Sequence, residues 1–277
     1  YDAAADRFWA VSDKNGRLLQ LDVDFDASGA ITGATAISPV VLASTSDFEG
    51  IALGAGGASS AYISGELATP GVREYDLSTG ALIQSLTIPT IFNSSSSNRR
   101  FESLSRTLDN TEMLTAVQQA LTVDGGPSGT SLTVPTISRM LRFAVTGPNA
   151  TAAEQYAYVV EPVHAGTSSG DGSSLHDVEF LPDGRLLSIE RSDNTTQSLV
   201  RIYDVRRLGA TDVSQGATAT GLTGETYTPV GKTLALSNST FGKFEGFAIG
   251  PQLPDGRYAA LGVEDNSGTP PNVLHSF

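Results

Sequence analysis

Four short stretches each carry one glutamate near the start of an apolar run: Phe48-Glu49-Gly50-Ile51-Ala52-Leu53, Phe101-Glu102-Ser103-Leu104-Ser105, Val178-Glu179-Phe180-Leu181 and Phe244-Glu245-Gly246-Phe247-Ala248-Ile249. A carboxylate placed repeatedly in apolar surroundings is costly unless it has partners. Brought together, Glu49, Glu102, Glu179 and Glu245 have two chemistries open to them. They could hold a hard divalent cation, since Ca²⁺ takes six to eight oxygen ligands and converged carboxylates repel one another without a neutralising charge. They could instead accept hydrogen bonds from backbone N–H groups or a neighbouring arginine and lock one element to the next. Basic residues stand beside them. Arg100 and Lys243 directly precede the Phe-Glu pairs, and Arg191 follows Glu190. With a metal these cations would hold a phosphate, to which arginine offers a bidentate fork; alternatively they are the ion-pair partners of the glutamates. His176, in His176-Asp177-Val178-Glu179, is a candidate general base or metal ligand, or a polar cap. Glu190 is a further candidate ligand at the end of a strand.

The elements that would position these residues form a repeating unit. Each glutamate run is followed by a turn and a second apolar strand that ends in polar residues: Glu66, Gln119, Glu190 and Asp265, with Asp13 at the matching place in the first unit. The units begin near positions 1, 47, 100, 176 and 243. Such a loose period of roughly 50 to 70 residues with about four strands each, and no extended helical periodicity, predicts an all-β fold, a β-propeller of four-stranded blades. Asp76-Leu77-Ser78-Thr79-Gly80, Pro182-Asp183-Gly184 and Pro254-Asp255-Gly256 read as ordinary turns. Five repeats are visible, compatible with five or six blades in one domain over residues 1–277. The first unit reads as lacking its first strand, and the fifth as lacking its fourth. The stretch from Arg206 to Gly231 interrupts the fourth unit as an insertion of one short helix plus loop. A β-sandwich with accidental similarity is the competing architecture. In a propeller the inner strands line a central channel, and the four glutamates are expected to converge there.

Composition narrows the function classes. The 277 residues carry a net charge of −13, with no basic face of the kind a nucleic-acid binder shows. No apolar run approaches the length of a membrane span. There is no cysteine, so disulfide and thiolate chemistry are excluded. No Gly-x-Ser-x-Gly elbow and no glycine-rich phosphate loop is present. Ser/Thr-rich loops such as 93–97 suggest a secreted or periplasmic protein, and a monomer is expected.

The ordered set Phe8-Trp9-Ala10-Val11-Ser12-Asp13, Asp47-Phe48-Glu49-Gly50-Ile51-Ala52, Phe101-Glu102-Ser103-Leu104, Leu181-Pro182-Asp183-Gly184-Arg185-Leu186-Leu187-Ser188-Ile189-Glu190-Arg191 and Phe244-Glu245-Gly246-Phe247-Ala248 resembles the phytase-like, or esterase-like activity of phytase, domain of bacterial secreted proteins. The resemblance covers nearly the whole chain. It implies a β-propeller, hydrolysis of a phosphate ester or other ester, and Ca²⁺ as cofactor. The matching positions are Glu49, Glu102, Glu179 and Glu245, with Glu190 and Arg191. Ser103 and Phe180 stand where the pattern has glycine. The expectation is a divalent-cation-binding hydrolase of a small phosphate ester, with Glu49, Glu102, Glu179, Glu245 and His176 at the reaction centre and Arg100, Arg191 and Lys243 on the substrate. A non-catalytic propeller presenting loops to a polymer or protein, and a lactonase-like propeller with one metal, are the alternatives.

Overall fold

The computed structural model describes residues 1–12, 15–37, 39–45, 47–54, 59–66, 69–96, 98–125, 129–164, 172–193, 197–265 and 272–277. Asp13 lies outside the described residues.

Strands follow the sequence in five successive antiparallel sheets. The first holds β1 (Phe8–Ser12), β2 (Arg17–Phe25), β3 (Ile31–Ala36) and β4 (Val40–Val41), with β3 and β4 both pairing β2. The second is β5 (Phe48–Leu53), β6 (Ser60–Gly65), β7 (Gly71–Asp76) and β8 (Leu82–Ser85) in simple meander order. The third is β9 (Ser105–Arg106), β10 (Glu112–Ala116), β11 (Thr136–Thr146) and β12 (Asn149–Val160). The fourth is β13 (Gly172–Phe180), β14 (Leu186–Asp193), β15 (Ser198–Arg206) and β16 (Gly231–Asn238). The fifth is β17 (Phe244–Gln252), β18 (Tyr258–Glu264) and β19 (Val273–Ser276). The hairpins form where turn chemistry places them. Asp76 Oδ1 accepts from the N–H groups of Ser78 and Thr79, and Gly80 takes φ +71°. Gly184 and Gly256 adopt φ +84° and +88°, which side chains resist.

The core shows how the sheets are arranged. Each of five apolar clusters is shared by two successive sheets. Trp9 and Leu18 pack against Phe48, Ile63 and Tyr75. Tyr62 and Val72 meet Phe101, Met113 and Phe143. Leu114, Met140 and Tyr158 meet Val178, Phe180 and Tyr203. Ile189 and Ile202 meet Phe244. The fifth cluster joins Leu261 and Ala248 to Phe8 and Val23, so the last sheet closes on the first. Sheets stacked face to face in a closed ring make a five-bladed β-propeller. This resolves the choice between five and six blades. β1 packs beside β5 and is the innermost described strand of its blade. No N-terminal strand pairs with the described part of blade five; the ring closes there by side-chain packing. The 206–231 insertion contains no α-helix, only a 3₁₀ turn at Gly216–Ala219.

That insertion is pinned by one buried guanidinium. Arg139 is fully buried and donates to Asp124 Oδ1 and Oδ2 at 2.7 and 2.9 Å, to Gln155 Oε1 at 3.0 Å and to the carbonyls of Val213 and Thr218. Asp124 also accepts from the Leu222 N–H. Every donor has an acceptor, the condition under which a buried ion pair is tolerated.

Candidate functional site at the channel mouth

The inner strands share an irregularity that the sequence pattern only hints at. In blade two, Phe48 pairs Gly65 and Ile51 pairs Ile63, so Glu49 and Gly50 lie opposite the single residue Ser64. In blade five, Phe244 pairs Glu264 and Gly246 pairs Val263, leaving Glu245 as the extra residue. In blade three, Phe101 bridges Val117 and Ser105 pairs Leu114, so Glu102, Ser103 and Leu104 face two residues. Blade four repeats the irregularity with Leu175 on Glu190 and Asp177 on Ile189, and here the extra residue is His176. Each is a β-bulge, which bends a strand and re-aims a side chain. His176 and Glu245 are thus the extra residues of blades four and five, and Glu49 and Glu102 lie within the bulges of blades two and three. β1 pairs β2 without such a shift.

This register corrects the sequence alignment of blade four. The counterpart of the other three glutamates is His176; Glu179 lies three residues further along the strand. Glu179 Oε2 accepts from Ser105 Oγ at 2.7 Å and Oε1 from the Ile249 N–H at 3.3 Å, which ties blade four to blades three and five. Asp177 takes the position held by Gly50, Ser103 and Gly246, and its Oδ2 accepts from the Phe247 N–H at 2.8 Å. Phe180 does not replace a glycine of the motif; it is a core residue. At Gly50 the close approach is real: a Cβ there would fall 2.2 Å from the Leu104 nitrogen.

The second strands are corrected in the same way. Level with the bulges, one residue beyond the partner of the residue that precedes each bulge, lie Glu66, Gln118, Arg191 and Asp265. Glu190 is not among them. Neighbouring residues in a strand point to opposite faces, and Glu190 turns into the interface of blades three and four. There it accepts from Lys232 Nζ at 2.5 Å, Tyr158 Oη at 2.7 Å and the Glu161 N–H at 2.9 Å. Lys232 also sits 4.2 Å from the centre of the Tyr203 ring. Glu190 is a structural carboxylate, not a ligand of the channel.

At the channel mouth two groups of donors stand close together. Single ligand atoms of Glu102, His176 and Glu245 lie within 4.8 Å of one another, and so do those of Asp47, Glu49 and Glu66. Glu245 divides its oxygens: Oε1 takes Arg191 Nη1 at 2.6 Å, and Oε2 lies 2.7 Å from His176 Nδ1. His176 is 2 % exposed, and that nitrogen has no partner in hydrogen-bonding geometry. Arg191 is also held by Asp193 at 2.9 Å and by the Phe244 carbonyl. Lys243 lies 3.2 Å from Asp265 and 3.8 Å from Glu245. Arg100 donates its backbone N–H to Glu66 Oε1 and its charge acts on that carboxylate, and Arg99 and Arg106 line the channel. The channel, about 1450 Å³, is walled by Glu49, Glu66, Glu102, Asp177, Glu179 and Glu245 among others.

The charges do not balance. Burial pushes the Glu102 carboxyl well above its ordinary range, and Glu49, Glu66 and Glu245 push it further. Glu66 is raised by burial too, against the pull of the Arg100 N–H and a hydrogen bond shared with Glu102. Burial also raises Glu245, but His176 and Arg191 outweigh it and hold that carboxyl down at about 2. Burial and then Arg191 lower His176, against the pull of Glu245, so the imidazole is biased toward its neutral form. The 2.7 Å contact between His176 and Glu245 is therefore weaker than a full salt bridge, because desolvation of a wholly buried ring outweighs a single carboxylate. The ring of acids holds either shared protons or a cation.

The family model described as phytase-like, esterase-like activity of phytase, matches residues 1–268. The chain belongs to this family. No curated protein matches it. Among solved structures it is similar to a putative 6-phosphogluconolactonase from Bacteroides uniformis (11 % identity, 97 % of this chain and 68 % of that one, TM-score 0.37). It is also similar to the periplasmic gluconolactonase of Pseudomonas aeruginosa (13 %, 96 % and 82 %, TM-score 0.38) and to a chain of Chaetomium thermophilum Polycomb Repressive Complex 2 (12 %, 94 % and 63 %, TM-score 0.42). No described helix is long and apolar enough to cross a membrane.

Proposed function

We propose that this phytase-like chain is an exported hydrolase that opens an ester at the bulge ring with the help of a divalent cation. The observation that carries the reading is a gathering of three glutamates and a histidine, each within the bulge of its inner strand, at one end of a wide channel. Glu102 among them is crowded by Glu49, Glu66 and Glu245. The donor set fits a cation: carboxylate oxygens and an imidazole nitrogen, one of them buried without a hydrogen-bond partner. When bound, such a cation supplies Lewis-acid polarisation of the ester oxygen and a water of lowered pKa.

The chain's own residues do the rest. Without a cation Glu102, crowded by acids, keeps a proton at pH values where an ordinary carboxylate has lost it, and it gives that proton up to serve as a ligand. Arg191 fixes Glu245 by taking Oε1, which leaves Oε2 facing His176. Lys243, 46 % exposed at the mouth, is placed to meet an anionic group of the substrate. A small phosphate ester is the substrate class we assign first. A lactone or other carboxylic ester is the second, favoured by the engagement of Arg191 with Asp193, Glu245 and the Phe244 carbonyl, which leaves less positive charge for a phosphate.

The test is turnover of a phosphate monoester, a carboxylic ester and a sugar lactone by the purified chain, with and without chelator, and by Glu102→Gln. Chelator-sensitive hydrolysis of one class that falls by about 100-fold or more in the variant supports the proposal. No turnover of any of the three overturns it in favour of a non-catalytic propeller; turnover indifferent to Glu102 overturns the bulge ring as the reacting site. Export is tested separately, by the appearance of the full-length product outside the cytoplasm.

A further inference from the structure

We infer that the cation seat of the ring is the trio Glu102, His176 and Glu245, and that it selects a first-row transition-type ion such as Zn²⁺ or Mn²⁺ over Ca²⁺. The inference deepens the proposed function and rests on it, and it departs from the Ca²⁺ that the family resemblance implies.

His176 is the deciding residue. A buried imidazole nitrogen 2.7 Å from a carboxylate oxygen but outside hydrogen-bonding geometry is poorly satisfied unless a positive group binds both atoms. The nearest guanidinium does not supply it: Arg191 spends its nearby Nη1 on the other oxygen of Glu245. The bulge at Leu175 and Asp177 is what turns His176 toward this point. Glu102 brings a third donor from blade three. Donors bound at about 2.0–2.2 Å sit roughly 3 Å apart; the three atoms lie between 2.7 Å and 4.8 Å from each other. Small side-chain movements therefore suffice. Glu102 and Glu245 both border the channel, so a cation there keeps an open side toward substrate, the arrangement of a catalytic rather than a structural centre.

The nitrogen decides the ion. Ca²⁺ and Mg²⁺ are bound through oxygen, whereas imidazole suits zinc and its first-row neighbours. The neighbouring trio Asp47, Glu49 and Glu66 offers only oxygens. No observation beyond its acidity points to a ligand, and it carries no part of the proposal.

The experiment is isothermal titration of the chelator-stripped chain with Zn²⁺, Mn²⁺ and Ca²⁺ separately, repeated on His176→Asn and Glu102→Gln. Asparagine offers an oxygen near the place of Nδ1, and glutamine keeps the shape of Glu102. Expected are one site per chain, about tenfold or more tighter for Zn²⁺ or Mn²⁺ than for Ca²⁺, a loss of that preference in His176→Asn, and weaker binding of every ion in Glu102→Gln. Equal or tighter Ca²⁺ binding, unchanged by His176→Asn, overturns the inference while leaving a cation in the ring. No binding of any of the three ions overturns both the inference and the proposed cation. Circular dichroism of each variant establishes that it is folded. If His176→Asn is not, the Zn²⁺/Ca²⁺ ratio of the wild type and the effect of Glu102→Gln decide.

Discussion

Replacing Glu245 by glutamine removes one charge and little else, and the structure says what that charge is worth. His176 and Arg191 hold the carboxyl at about 2 instead of 4.5, against the cost of its burial. At about 1.4 kcal/mol per pH unit this corresponds to at most roughly 3 kcal/mol, of which the His176 share fades at neutral pH, where that imidazole is biased toward its neutral form. The side chain is 27 % exposed, and Asp193 continues to pair Arg191 in the variant, so the expected loss is about 1–2 kcal/mol. The sign with pH is fixed. A carboxyl whose pKa is lower folded than unfolded stabilises the fold fully above about 4.5, and that contribution fades as pH falls through the folded value. The gap between wild type and Glu245→Gln should shrink to roughly half its neutral value by about pH 3. The assay is urea unfolding at neutral pH and at about pH 3 in the presence of chelator. It is followed by far-ultraviolet circular dichroism and by the fluorescence of Trp9, the single tryptophan, buried between blades one and two. A variant within about 0.5 kcal/mol of wild type at neutral pH (about a third of a pH unit in linkage terms) would refute the reasoning. So would a gap that does not narrow in acid.

The other predictions concern the scaffold and the unbalanced acids. Arg139→Met strands the fully buried Asp124 and should cost about 3–5 kcal/mol in urea unfolding, with the amides near Val213 and Leu222 losing hydrogen-exchange protection first. Gly50→Ala drives a methyl into the backbone of Ser103 and Leu104, with an expected loss of about 1–3 kcal/mol; unchanged stability would mean that blades two and three do not meet there. Glu102 behaves oppositely to Glu245. Its pKa is raised on folding, so the stability it lends is present below about 4.5 and is lost as pH climbs through its folded value. In chelator, Glu102→Gln should therefore melt higher than wild type at about pH 8 and match it at about pH 4; a lower melting point on the alkaline side contradicts the crowding of acids.

Much of this architecture is legible in the residues, because the inner strands repeat a pattern that burial enforces. An aromatic, a glutamate, a small residue and an apolar run mark blades two, three and five, and they are the bulge positions of those blades. Blade four misleads for a physical reason. Its bulge is Leu175-His176-Asp177, and Val178-Glu179-Phe180 further along imitates the motif. Hairpin register holds the missing signal: opposite Arg191, at the polar end of β14, lies Ser174, so the strand starts well before Glu179. Strand alternation likewise sends Glu190 and Arg191 to opposite faces. The pairing of Lys232 with Glu190 cannot be foreseen from sequence, because the two lie 42 residues apart across an insertion without a period. The blade number depends on Phe8 packing with Leu261, a contact between the two ends of the ring that no repeat count contains.

Everything proposed for the site rests on the bulges of three blades delivering Glu102, His176 and Glu245 to one point that takes a cation. A crystal grown with Mn²⁺ and measured for anomalous scattering tests this most directly. The expected result is a single strong peak within bonding distance of one oxygen of Glu102, one of Glu245 and Nδ1 of His176. A peak bound elsewhere, or a map with none while His176 Nδ1 donates a well-aligned hydrogen bond to Glu245, would contradict it.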